Sequence, residues 1–212
     1  MRQIEIKATI EKLIDTFLYA GKVSIELREK GLIKEIKEDN TPVSNGDLEV
    51  NRILTEKIND LTPQIPIISE ETSHNKSKKD LKNFWLIDPI DGTYDYINDL
   101  DEFTLNAGLI INNRSVAGII YAPAKNRLFY SYDKGFSFEI INNKHVKLDC
   151  SKNSNNKIKF VSYSNKLKPE INKIYQSMNV TEFKRMKSSL KFCVIASNEC
   201  DGYVAEPRAC EW

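Results

Sequence analysis

The chain has 212 residues, long enough to bury a full core as one medium-sized domain or two small lobes. Charged residues make up 29% and apolar residues 41%, which is ordinary for a soluble globular protein. A net charge of +1 leaves no basic excess to neutralise a run of phosphates, which argues against a dedicated nucleic-acid binder.

No apolar run approaches the length of a bilayer span, and the opening MRQIEIKATIEK carries acids and lacks the apolar segment of a secretory signal. The cysteines, Cys150, Cys193, Cys200 and Cys210, form neither a CxxC pair nor a metal-finger spacing. Cys193, inside Phe192-Cys193-Val194-Ile195-Ala196, reads as a buried free thiol. These features predict a reducing, cytoplasmic setting, with peripheral association at the inner membrane left open.

In chain order, Ile10, Leu13, Ile14, Phe17 and Leu18 fall on one helical face, which predicts a long amphipathic helix from residue 3 to about 30, ending at Gly31. The polar KEDNTPVSNGD follows, with turns at Pro42 and Gly46. Asp47 is placed to cap a second helix with the face Leu48, Ile53, Leu54 and Ile58. Pro66-Ile67-Ile68 predicts a short buried strand stopping at Ser69-Glu70-Glu71, and the lysine-rich stretch from Ser73 to Lys82 reads as a solvated loop.

Strand patterns then run through Trp85-Leu86-Ile87, Phe103 to Ile111, Ser115 to Ala122, Arg127 to Ser131 and Phe136 to Ile141, with a hairpin turn at Asn112-Asn113-Arg114. The polar Asp149 to Asn156 is the expected lobe boundary, giving residues 1–150 and 151–212. Beyond it come a strand at Ile158 to Val161, helices at Pro169 to Met178 and Ser188 to Ser197, and a short strand around Gly202 to Ala205. Interleaved helices and strands predict an α/β fold of layered α and β elements around two sheets.

Acids sit at the ends of several apolar elements: Asp39 before a turn, Glu70 and Glu71 after one strand, Asp88 and Asp91 after another. Taken singly they are turn formers and caps. Taken together they suggest a converging site, where bare carboxylates would repel and one would take up a proton. A divalent cation removes that conflict, and an all-oxygen donor set suits Mg²⁺, which completes its shell with waters and phosphate oxygens.

Trp85-Leu86-Ile87-Asp88-Pro89-Ile90-Asp91-Gly92-Thr93 resembles the signature of the inositol monophosphatase superfamily of lithium-sensitive, magnesium-dependent phosphatases. Lys37 to Asp47, Ile68-Ser69-Glu70-Glu71 and Ser188-Ser189-Leu190-Lys191-Phe192-Cys193 are similar to the CysQ-type 3'(2'),5'-bisphosphate nucleotidases of that superfamily. The resemblance runs from the first helix to Trp212 and implies an αβαβ(α) sandwich.

It also implies a set of roles. Glu70, Asp88 and the carbonyl of Ile90 would bind a first Mg²⁺, Asp88 and Asp91 part of a second, and Asp39 with Glu70 a third, weaker ion. Thr93, hydrogen-bonded to Asp39, would orient the attacking water. Glu70, Ile90, Asp91, Gly92 and Thr93 would surround the phosphate, with backbone N–H groups offered at Gly92 and Thr93. Ser188 and Lys191 would contact a second phosphate, against a reading of Lys191 as a solvated helix charge. Tyr94, Tyr96 and Phe103 are open between a nucleotide-pocket wall and core.

The implied activity is Mg²⁺-dependent hydrolysis of a small phosphorylated substrate, adenosine 3',5'-bisphosphate to AMP and phosphate, as in sulfur metabolism. Inositol monophosphatase and an inactive, shortened remnant of the family are the alternatives. The family pattern would place an Asp directly after Glu211-Trp212 as the remaining ligand of the second metal. Its absence from this sequence predicts a shortened second lobe lacking its last elements, a weakened leaving-group metal and exposed apolar faces. Asn165, Lys187 and Ala205 also depart from the pattern, which would carry His, a small or acidic residue, and Arg at those places.

Overall fold

The computed structural model describes residues 3–37, 41–72, 81–152 and 157–205. Helix α1 (Gln3–Lys30) buries Ile6, Ile10, Leu13, Ile14, Phe17 and Ala20 along one stripe and stops at Gly31, whose φ of +92° suits a residue without a Cβ. Leu18 falls off that stripe and is exposed, one correction to the expected face. The polar segment after it is not only turn. It forms a hairpin, β1 (Lys34–Ile36) with β2 (Pro42–Ser44), antiparallel in register Glu35 to Val43.

Helix α2 (Asn45–Leu61) starts from a capping box: Ser44 is the cap, its hydroxyl accepts from Gly46 N, and its own N–H donates to Asp47 Oδ2 at 2.8 Å. Asp47 is therefore the third residue of the box, not the cap itself. The buried face is Val50, Ile53, Leu54 and Ile58, while Leu48 is exposed.

A seven-stranded sheet follows. It contains β3 (Ile67–Ser69), β4 (Phe84–Asp91), β5 (Thr104–Ile111), β6 (Arg114–Ala122), β7 (Arg127–Tyr132), β8 (Ser137–Ile141) and β9 (Lys144–Lys147), in that spatial order. Only β3 and β4 are parallel; the rest form an antiparallel meander. The β5–β6 turn holds Asn112 and Asn113 at φ of 51° and 60°, as a two-residue hairpin of matching twist requires. A five-residue helix, α3 (Thr93–Ile97), hangs between β4 and β5.

The second sheet is small and parallel, with β10 (Ile158–Ser162) between β11 (Val180–Arg185) and β12 (Gly202–Tyr203). Helix α4 (Pro169–Ser177) crosses from β10 to β11, and α5 (Leu190–Ala196) from β11 to β12.

Two cores separate the layers. Helices α1 and α2 cover one face of the large sheet through a cluster that includes Phe17, Leu54, Trp85, Ile87, Phe103 and Ile119. On the other face, Ala122 and Phe129 pack with Leu190, Cys193 and Val194 of α5 and with Val161 of the small sheet. Tyr175 of α4 packs edge-on against Phe160 and Phe183, neighbours across the β10–β11 pair. The order is helix, sheet, helix, sheet, helix, as expected of the αβαβ(α) sandwich. Each fully buried aliphatic or aromatic side chain contributes about 1.5–3 kcal/mol to holding these layers.

Burial pushes the Cys193 thiol up to about 12, so it stays protonated and acts as an apolar filler. No helix among the described residues is long and apolar enough to cross a membrane.

Candidate metal and phosphate site

The expected acids come to one place because β4 is irregular. Residues three apart on a regular strand point to opposite faces. Here Asp88 pairs with Asn106 and Asp91 with Thr104, so Pro89 and Ile90 on β4 face the single Leu105 on β5. This bulge, at a proline with no N–H to give the ladder, turns Asp91 onto the same face as Asp88. Both line one cavity of about 1040 Å³, with Asn106, Ser189 and Lys191 beside them. Glu70 joins from the end of β3, its N–H donating to Ile87 O at 3.1 Å.

The electrostatics are those of a crowded acid site. Burial is the main cause that holds Asp88 well above the usual carboxylate range, followed by the charges of Asp91 and Glu70. Burial also raises Glu70, Asp91 and Asp47. The nearness of Asp88 acts against the rise at Glu70, while the nearness of Glu70 adds to the rise at Asp88. Asp88 Oδ1 remains buried without a hydrogen-bond partner, a costly state for a carboxylate oxygen.

No three carboxylate, imidazole or thiol groups among the described residues are drawn together as a ready-made cage. An orphaned oxygen within an all-oxygen set fits a hard divalent cation.

Thr93 follows Gly92, whose φ of +97° and close approach to Glu102 O leave no room for a Cβ. Thr93 Oγ1 lies 3.2 Å from Asp47 Oδ1 and 3.0 Å from the carbonyl oxygen of Ile90. The carboxylate found beside Thr93 is thus Asp47, where the sequence reading put Asp39; Asp39 lies outside the described residues. Asp47 is almost fully buried, and its other oxygen is held by Ser44 N and Oγ at 2.8 and 2.6 Å. Sequence reasoning used up Asp47 as a cap and so missed its second oxygen, which faces the site.

The remaining expected residues divide. Lys191 lines the cavity, and its Nζ donates to Ser188 O at 2.7 Å. Burial lowers its pKa while the charge of Asp91 opposes that. It is not a freely solvated charge.

Ser188 is buried, does not line the cavity and has an unpartnered hydroxyl at a φ of +53°. Its neighbour Ser189 takes the lining position. The Ser189 hydroxyl meets Thr104 Oγ1 at 2.8 Å and donates to Asn106 Oδ1. Tyr96 and Phe103 are core and pack with tilted rings 4.9 Å apart, whereas Tyr94 is exposed. Near Glu70, Lys37 Nζ is 2.8 Å from Glu71 and 3.9 Å from Glu70. Burial pulls the Lys37 pKa down, but the Glu71 bond and charge outweigh it and the net shift is upward.

Comparison with known proteins matches this arrangement at the level of sequence and of fold. The 3'(2'),5'-bisphosphate nucleotidase CysQ of Aggregatibacter actinomycetemcomitans is 31% identical over 207 residues, covering 96% of this chain and 77% of that protein. The protein of the same name from Buchnera aphidicola is 31% identical over 198 residues, covering 92% and 74%. The crystal structure of CysQ from Bacteroides thetaiotaomicron superposes with a TM-score of 0.70 at 23% identity, over 93% of this chain and 79% of that one. The family model described as "Inositol monophosphatase family" spans residues 6–212, the bulged strand and its acids included, and the chain belongs to that family.

Proposed function

We propose that the chain is a Mg²⁺-dependent phosphomonoester hydrolase acting as a 3'(2'),5'-bisphosphate nucleotidase, converting adenosine 3',5'-bisphosphate to AMP and phosphate. The observation that carries this reading is the acid group at the end of β4 and β3, with Asp88 Oδ1 buried and unpartnered. The relatives named as nucleotidases support the substrate choice. The division into lobes at about residue 150 belongs to the same reading. So does a reducing, cytoplasmic setting, which suits the free thiols of Cys150, Cys193 and Cys200.

In this reading Glu70, Asp88 and the carbonyl of Ile90 hold one ion, and Asp88 and Asp91 contribute to a second. Asp39 with Glu70 takes a third. Magnesium, when bound, supplies acidification of a water and neutralisation of charge on the phosphate oxygens. The protein's own groups do the rest. Thr93 Oγ1 passes its proton to Asp47 Oδ1 as it takes one from the attacking water. The water oxygen bonds to phosphorus, the ester P–O bond breaks, and the departing alcohol oxygen takes a proton from solvent. The raised pKa of Asp47, caused first by burial, suits a group that must accept a proton at neutral pH. Lys191, facing Asp91 at the cavity wall, offers a point charge to a second phosphate.

Phosphate release from adenosine 3',5'-bisphosphate and from inositol 1-phosphate, each with Mg²⁺, tests the reading. The nucleotide is expected to be turned over with the higher kcat/KM. Preference for the inositol ester would replace the substrate assignment, and no release from either would refute the function.

A further inference from the structure

The segment from Arg185 to Ser189, between β11 and α5, docks on the large-sheet side through every second residue. Arg185 reaches Glu102 at 3.4 Å. The Lys187 N–H donates to the same Glu102 carboxylate at 3.3 Å. Ser189 meets Thr104 and Asn106. The residues between are buried, Met186 in the cluster between the two sheets and Ser188 with it in the interior.

Lys187 makes the strongest link of the series. Its Nζ lies 2.7 and 3.0 Å from the two oxygens of Asp95 on α3, both side chains nearly buried at 15% and 5% exposure. The rings of Tyr94 and Tyr163 flank the ammonium at 5.5 and 6.0 Å, and Tyr163 lines the cavity. Asp95, on α3, lies four residues beyond Asp91 at the end of β4, and its charge acts on Asp91. Lys187 therefore ties the short helix that begins at Thr93 to the segment that carries Ser189 and Lys191.

We propose that Lys187 is a positioning residue, whose ion pair with Asp95 sets the spacing between the acid end of β4 and the Ser189–Lys191 wall of the cavity. Glu70, Asp88 and Asp91 sit on or beside β3 and β4, and Thr93 is held at the start of α3 by its own bonds to Asp47 Oδ1 and the Ile90 carbonyl, so the acid side keeps its geometry without the link. A substrate that spans the cavity is gripped from both sides, and it loses the far grip when the link is cut. The effect of losing Lys187 thus falls on KM rather than kcat. This kinetic part rests on the proposed phosphatase function; the structural link does not.

The experiment compares Lys187→Met, Lys187→Arg and the double variant Lys187→Met/Asp95→Asn by steady-state kinetics, thermal unfolding and hydrogen–deuterium exchange without substrate. Lys187→Met leaves a buried carboxylate unpaired and is expected to lose stability. The double variant removes both charges and is expected to recover Tm. It should still show KM raised about tenfold, kcat within about twofold, and faster exchange in residues 95–100. Lys187→Arg is expected to stay near wild type.

A double variant with wild-type KM and wild-type exchange overturns the proposal. If wild-type protein turns over no phosphomonoester, the functional reading fails alone. Exchange then decides the link: faster in the double variant supports it, and unchanged refutes it.

Discussion

At the scale of single residues, Asp47 joins a helix cap to the proposed site. One carboxylate oxygen closes the capping box of α2, and the other meets Thr93. Removing it should therefore have two effects that Thr93 variants separate. Thr93→Val is expected to lower kcat about 10²–10⁴-fold with little change in KM, because no proton can be relayed. Thr93→Ser keeps the hydroxyl and should retain most of the rate. Asp47→Asn is expected to match Thr93→Val in kcat and to lose about 1 kcal/mol of stability as well, from the weakened cap. Steady-state kinetics and urea unfolding check both, and a Thr93→Val enzyme of normal kcat would remove Thr93 from the chemistry. Reading the sequence alone assigns Asp47 to the helix, because a capping pattern is local and visible. Its contact with Thr93 spans 46 positions and depends on tertiary packing.

At the scale of elements, the long helices and the central strands were readable from periodicity because their apolar faces are continuous. The missed elements lack that signal. The β1–β2 hairpin has three-residue strands, α3 is barely more than one turn, and β11 is a largely exposed edge strand. Strand β9 (Lys144–Lys147) was missed as well, although a signal for it was present. Ile140-Ile141-Asn142-Asn143-Lys144 repeats the pattern of the recognised turn at Ile110-Ile111-Asn112-Asn113-Arg114, and Asn142 and Asn143 adopt the same positive φ of 50° and 60°. The β4 bulge was not readable, since a proline between two acids fits a turn equally well.

The β11–α5 junction gives a prediction at this scale. Ser188 combines a left-handed backbone with an orphaned buried hydroxyl. Ser188→Gly relieves both and is expected to stabilise the protein by about 1 kcal/mol after the cost of a freer unfolded chain, with KM unchanged. A raised KM in that variant would instead assign Ser188 to the substrate, as the family resemblance implies.

At the scale of the whole molecule, two sheets and their helices enclose a cavity whose polar end is a concentration of buried acids. That end works against stability when no cation is bound. The folded-state pKa values of Glu70, Asp88 and Asp91 lie above their ordinary range, chiefly through burial. Between the unfolded carboxylate pKa and those raised values the folded state binds more protons, so this contribution to stability falls as pH rises. Asp88→Asn should therefore stabilise the metal-free protein relative to wild type at pH 8 more than at pH 5.

The same acids should bind Mg²⁺ with release of protons, since a cation competes with the protons that raised pKa values leave on these carboxylates. Calorimetric titration of metal-free protein with Mg²⁺, in two buffers of different ionisation enthalpy near pH 6, measures both. Wild type is expected to bind with net release of protons, and Asp88→Asn to bind about tenfold more weakly with less release. Wild type that shows no Mg²⁺ binding, or Asp88→Asn that binds as tightly, would contradict the assignment of these acids as a metal site.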